Sequence, residues 1–85
     1  MKMKQCDVIL TAMLDNIKKQ YWKATDFQSG KYFVGYEATA RMSDLVRMYP
    51  ELFIVTKDGR FRLLSINWEN IDAVKEQMKR LNMEV

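Results

Sequence analysis

The 85-residue chain has no histidine, one cysteine and only three glycines, and each shortage excludes a class of site. Without histidine, a Ser-His-Asp triad is excluded and a zinc site lacks its usual ligands. Cys6 has no partner for an internal disulfide, which is typical of a reduced, cytosolic protein. Three scattered glycines form no phosphate-binding loop. We therefore expect no enzyme, no metal or other cofactor, and no small-molecule substrate.

A long apolar run is missing too. No stretch approaches the roughly 20 apolar residues that a membrane span needs. The start of the chain is basic and then apolar, but Asp7 and Thr11 interrupt it and no signal-peptide cleavage site follows. We expect a cytoplasmic protein with no membrane partner. The net charge of +3 indicates a polyanionic partner only weakly.

Hydrophobic residues make up 48% of the chain, enough for the single core of one domain spanning residues 1–85. Apolar residues at three- and four-residue steps predict a helix over Met3–Gln20, with an apolar stripe from Cys6 to Tyr21. The same period predicts a helix over Glu37–Tyr49, which Pro50 ends. A last helix is expected from about Trp68 to Leu81, with Asn67 as its N-cap. Between the first two helices, residues 21–28 allow another helical turn, and residues 31–36 fit either a strand or an extended segment.

Residues 52–65 predict a β-hairpin, because two apolar runs flank Asp58-Gly59, a strong signal for a two-residue turn. With that turn, Lys57 faces Arg60, Val55 faces Arg62 and Ile54 faces Leu63. One face of the hairpin then carries Ile54, Phe61 and Leu63 toward the core. The other face gathers Lys57, Arg60 and Arg62 near the tip.

The predicted order is helix, short irregular or helical segment, helix, hairpin, helix. It favours an α+β winged helix-turn-helix fold, mostly helical, with the hairpin as a wing in the C-terminal half and a final helix after it. In such a fold the helix over Glu37–Tyr49 is the recognition helix.

The outward face of that helix carries small and polar side chains, namely Thr39, Ala40, Ser43, Asp44 and Arg47. Small residues would let the helix enter a major groove, where hydroxyls and arginines bond bases or phosphates. A solvated face with surface ion pairs explains the same pattern equally well.

The basic hairpin suggests a clamp for phosphates, although charges on a hairpin also prevent edge-to-edge pairing. We favour the clamp because the hairpin directly follows the candidate recognition helix. The aromatic residues are expected to pack in the core rather than to stack on single-stranded bases.

Two motifs carry a resemblance. The helix motif is YEATARMSDL at 36–45, and the hairpin motif is DGRFRL at 58–63. Together they resemble the small helix-turn-helix domains of phages and mobile elements over about Tyr36–Leu64. The resemblance implies contacts to DNA grooves or backbone from the following residues: Thr39, Arg41, Ser43 and Arg47 on the helix, and Arg60 and Arg62 on the wing. The aromatic segment at 22–35 departs from the family, which has a clear helix there.

We therefore predict a protein that binds double-stranded DNA, a small transcriptional regulator or accessory protein of a phage or mobile element. Useful specificity from so small a domain calls for a homodimer or a protein partner. The alternative is a winged helix that binds a host or partner protein without binding DNA, which Asp44 on the outward face and the small net charge favour.

Overall fold

The computed structural model describes residues 4–28 and 33–83, apart from the side chain of Phe61. Within these ranges the chain forms α1 (Gln5–Asp15), a 3₁₀ turn (Ala24–Phe27), α2 (Ala38–Met48), β1 (Phe53–Asp58), β2 (Phe61–Ile66) and α3 (Ile71–Arg80). The α+β class is confirmed, with the order helix, helix, strand, strand, helix. The predicted break at Ser29-Gly30 and the first two residues of the 31–36 segment lie outside the described ranges. In those ranges no helix has the length and apolar character needed to cross a membrane.

The first helix is shorter than its apolar period predicts. It ends at Asp15, because the Asn16 side chain turns back and its Nδ2 donates to the Ala12 carbonyl at 2.7 Å. Such a bond satisfies one of the carbonyls that a helix end leaves free. Residues after Asn16 therefore leave the helix, and Ile17 and Tyr21 are exposed instead of extending the apolar stripe. The predicted extension to Gln20 is wrong.

The second helix follows its prediction closely. Ala38, Met42 and Leu45 are buried on one face, and the helix ends one residue before Tyr49-Pro50. These residues pack against α1, whose Leu10, Met13 and Leu14 are fully buried. Burial of large side chains such as these contributes roughly 1.5–3 kcal/mol each. The α1–α2 contact is thus the centre of the core, and it fixes which face of α2 points outward.

The hairpin forms, but its predicted register is wrong. Asp58 pairs with Phe61, Lys57 with Arg62 and Ile54 with Ser65. The turn residues are Gly59 and Arg60, because Gly59 adopts a φ of +61° at the first central position, as in a type II′ turn. Arg60 therefore lies in the turn and has no strand partner.

The predicted core face of the hairpin is also wrong. Phe53, Leu64 and Ile66 are buried, whereas Ile54 is 49% exposed. The face with Phe53 is inward because it joins three large apolar residues at the base of the hairpin. The side chain of Phe61 is not among those that the structure describes. Lys57 and Arg62 share the strand face that points toward the body of the domain, but they sit beyond the core near the tip.

Trp22 attaches the hairpin to the first half of the chain. Its backbone N–H donates to the Leu64 carbonyl and its carbonyl accepts from the Leu64 N–H, both at 2.9 Å. The buried Trp22 ring stacks on Phe27, with ring centroids 5.3 Å apart. The 3₁₀ turn, which ends at Phe27, is thereby held beside β2, and this places it at the functional site described below.

The last helix begins later than predicted. Asn70, not Asn67, precedes it, and the Asn70 side chain donates to the Glu51 carbonyl at 3.2 Å instead of capping the helix. Val74 and Gln77 are its buried residues, while Ile71 in its first turn is exposed. The Arg80 guanidinium joins α3 to α1 through Asp7, at 2.8 Å.

Candidate functional site

A cleft of about 320 Å³ separates α2 from the hairpin, and we call it the α2–hairpin cleft. Its third wall is the segment containing the 3₁₀ turn, which Trp22 holds against β2. The cleft is lined by Lys23, Ala24, Thr25, Gln28, Thr39, Met42, Ser43, Val46, Val55, Arg60, Arg62, Leu63 and Leu64. Residues far apart in sequence thus share one surface, and Thr39, Ser43, Arg60 and Arg62 had been predicted as site residues.

The wall from α2 is set by helical spacing. Thr39, Ser43 and Val46 follow one another at steps of three and four residues, so they form one flank of the helix. The buried Met42 lies between this flank and the core face. Thr39 is exposed and Ser43 is half-buried. Both hydroxyls can therefore donate to or accept from a molecule in the cleft.

The hairpin wall is cationic. Arg62 and Arg60, which follows Gly59 in the turn, line the cleft. Lys57 lies directly opposite Arg62 in the strand register but is not among the lining residues. All three are exposed. Within the described residues none of them makes an ion pair or a side-chain hydrogen bond. Like charges placed opposite each other destabilise a strand pair. A bound anion would therefore reduce the repulsion between Lys57 and Arg62.

The floor of the cleft is apolar. Met42, Val46, Val55 and Leu64 contribute to it. Val55 is 39% exposed although it lies on the same strand face as the buried Phe53. Its exposure follows from the space between the hairpin and α2, which no side chain of the described residues fills. The cleft therefore combines an apolar floor with a cationic rim.

Arg41 and Arg47 lie elsewhere. They line a separate depression between α2 and the start of α1, with Lys4, Asp7 and Arg80 also present. Both arginines pair with Asp44, Arg41 at 3.3 Å. The resemblance implies that Arg47, Arg60 and Arg62 all contact DNA, but the structure does not bring Arg47 into the α2–hairpin cleft. Its side chain is 77% exposed on the crest of the helix.

The second depression also contains Cys6. The thiol donates to the Arg41 carbonyl at 3.8 Å. Burial raises the pKa of the Cys6 thiol, and the nearby Asp44 carboxylate raises it further. Less of the thiol is then ionised, which lowers its reactivity as a nucleophile. Nor do three or more Asp, Glu or Cys side chains cluster as metal ligands anywhere in the described ranges.

The third wall of the cleft was not predicted from the sequence. Lys23, Thr25 and Gln28 line the cleft and belong to a segment whose secondary structure the sequence pattern did not determine. Asp26 is the one residue that could have indicated the turn from the sequence. A carboxylate three residues after the first residue of a turn can accept a hydrogen bond from the backbone N–H of that first residue. In the structure the Lys23 N–H donates to Asp26 Oδ2 at 2.8 Å.

The chain matches no protein-family model, no curated protein and no solved structure. The resemblance to helix-turn-helix domains of phages and mobile elements therefore stays a prediction.

Proposed function

We propose that this chain is a winged-helix domain that binds duplex DNA. In this proposal α2 is the recognition helix, the β1–β2 hairpin is the wing, and the 3₁₀ turn takes the place of the helix that precedes a recognition helix. The observed order of helices and strands is compatible with such a fold. A four-residue turn is short for its role, yet the Trp22–Leu64 bridge and the Trp22–Phe27 stack hold it in place.

The observation that carries the proposal is the position of the unpaired cations. Arg60 and Arg62 line the cleft with the hydroxyl-bearing flank of α2, and Lys57 lies opposite Arg62 on the hairpin. None of the three has an acidic partner in the described residues. Phosphates are the anions that such a row of cations binds, and contacts of this kind set affinity and register on the duplex. Thr39 and Ser43 on α2 would then contact base edges or phosphates in the major groove.

Arg41 and Arg47 have a smaller part in this interface than the sequence suggested. Asp44 neutralises half of their combined charge. Arg41 faces the second depression and is left out of the proposed interface. Arg47 lies on the crest of α2, next to Ser43 in helical phase, and would contact phosphate at the edge of the groove.

Mapping by nuclear magnetic resonance tests where DNA binds. A random-sequence duplex added to labelled protein at low salt should shift the amide signals of Thr39, Ser43, Arg60 and Arg62. Signals of Lys75 and Lys79 should stay in place, because α3 contributes nothing to the cleft. Shifts confined to α3, or no shifts from a folded protein, would contradict the proposal and favour the role as a protein-binding module.

A further inference from the structure

The apolar floor of the α2–hairpin cleft is not explained by DNA binding. Phosphates and sugars engage the cationic rim, but Met42, Val46 and Leu64 offer them no bonding groups. Val55 stays 39% exposed in a small domain that needs its apolar side chains for the core. An apolar surface of this kind in a concave site is typical of a site that binds a small molecule.

The size and walls of the cleft limit what would fit. A volume of about 320 Å³ lies at the lower end of the range for small-molecule sites, about 300–1,000 Å³. The cleft has walls from three parts of the chain: α2, the hairpin and the 3₁₀-turn segment. A compact ligand would contact all three walls at once.

The rim determines the charge of the ligand. Arg60 and Arg62 both line the cleft and have no ion pair within the described residues. A carboxylate accepts two parallel hydrogen bonds from an arginine, and such charge-assisted bonds are stronger than neutral ones. Thr39 and Ser43 on the facing wall supply hydroxyls. The ligand with complementary chemistry has one anionic group and an apolar body.

We propose that the α2–hairpin cleft binds a small organic monoanion with an apolar body, and that this ligand excludes DNA. The exclusion rests on the proposed function, because the ligand would occupy the arginines that contact phosphate. Binding of the ligand itself does not depend on DNA. The ligand would thus act as an effector that releases the protein from DNA.

Octanoate is a suitable probe, with 1-octanol as the uncharged control of similar shape. Titrated into the protein alone, octanoate should give saturable shifts at Val46, Val55 and Leu64. Octanol should bind more weakly by about tenfold or more, because it cannot form a charge-assisted pair with arginine. The double variant Arg60→Gln and Arg62→Gln should remove this preference. The matched variant Lys75→Gln and Lys79→Gln loses the same charge on α3 and should keep it.

A second variant keeps both arginines and fills the cleft instead. Val46 is half-buried and lines the cleft, so Val46→Phe should block octanoate while the protein stays folded. Absence of saturable octanoate binding to the wild type, or equal binding of octanol, would overturn the site. Unchanged octanoate affinity in Val46→Phe would also overturn it.

The exclusion of DNA is tested separately. Octanoate at saturating concentration should lower duplex affinity, whereas octanol should not. If octanoate binds in the cleft and DNA binds as before, the effector role is wrong and the site stands. If the protein alone binds no DNA at low salt, the proposed function is wrong, and the exclusion of DNA is wrong with it.

Discussion

At the scale of single residues, Asp44 decides how much of the positive charge of α2 is available. Its two carboxylate oxygens pair with Arg41 on one side and Arg47 on the other. Pairs this exposed contribute little stability, between about 0 and 1 kcal/mol. Their larger effect is on charge, because Asp44 places a negative group beside a surface proposed to contact phosphate.

Replacing Asp44 therefore tests the orientation of α2 on DNA. The variant Asp44→Asn should bind random duplex about two- to fivefold more tightly at low salt, since one repulsive charge is removed and Arg47 is released from its ion pair. Asp72→Asn is the matched control, because Asp72 is exposed on α3 and changes the net charge equally. Fluorescence anisotropy gives both affinities. Equal affinity gains in the two variants would show that only net charge matters and that α2 does not face the DNA.

Single residues also show why the hairpin register was mispredicted. Asp58-Gly59 and Gly59-Arg60 are both acceptable turn pairs, since each contains the glycine that a positive φ favours. The choice between them depends on which strand residues reach the core. The observed register is the one that buries Phe53, Leu64 and Ile66 in the core. This tertiary packing cannot be predicted from the turn residues alone.

At the scale of elements, Arg80 ties three helices together. Its guanidinium donates to Asp7 of α1 at 2.8 Å, and its Nε donates to Gln77 of α3 at 2.8 Å. The same group lies 6.0 Å from the ring centroid of Tyr49, at the end of α2. The hydrogen bond to Asp7 raises the pKa of Arg80, so the guanidinium stays protonated throughout the neutral range.

We expect Arg80→Gln to lower the free energy of unfolding by about 1 kcal/mol. This figure is below the usual 1.5–3 kcal/mol of a charged hydrogen bond, roughly discounted because the head group is partly exposed to solvent. Lys79→Gln removes a neighbouring charge without these contacts and is the control. Urea denaturation at neutral pH measures both variants. If Arg80→Gln and Lys79→Gln lower the free energy of unfolding equally, the contacts of Arg80 do not stabilise the packing of the helices.

The elements differ in how well sequence predicts them. The bounds of α2 follow from local signals, namely the apolar period of Ala38, Met42 and Leu45 and the following Pro50. The end of α1 does not, because the Asn16 side chain stops a helix whose apolar pattern continues. The 3₁₀ turn depends on contacts with distant residues, since Trp22 pairs with Leu64 across the fold.

At the scale of the whole molecule, sequence indicated the chemistry of the site but not its shape. The hydroxyls of α2 and the arginines of the hairpin were visible as motifs, and the fold brings them together in one cleft. The apolar floor and the wall around Lys23 arise only when three segments pack, so no local pattern could show them. Arg47 and Arg60 were both predicted as site residues, but only Arg60 lines the cleft, because helical phase alone does not show which flank of α2 faces the hairpin.

The salt dependence of DNA binding tests the central claim most directly. We would measure the association constant for a random-sequence duplex between about 50 and 200 mM salt, where phosphate contacts dominate. Three cations on the hairpin predict a slope of log K against log salt of about −2.7 or steeper. In Arg60→Gln/Arg62→Gln the slope should become shallower by about 1.8, while Lys75→Gln/Lys79→Gln should retain the wild-type slope. No binding near 50 mM salt, or equal slopes in the two double variants, would contradict the account.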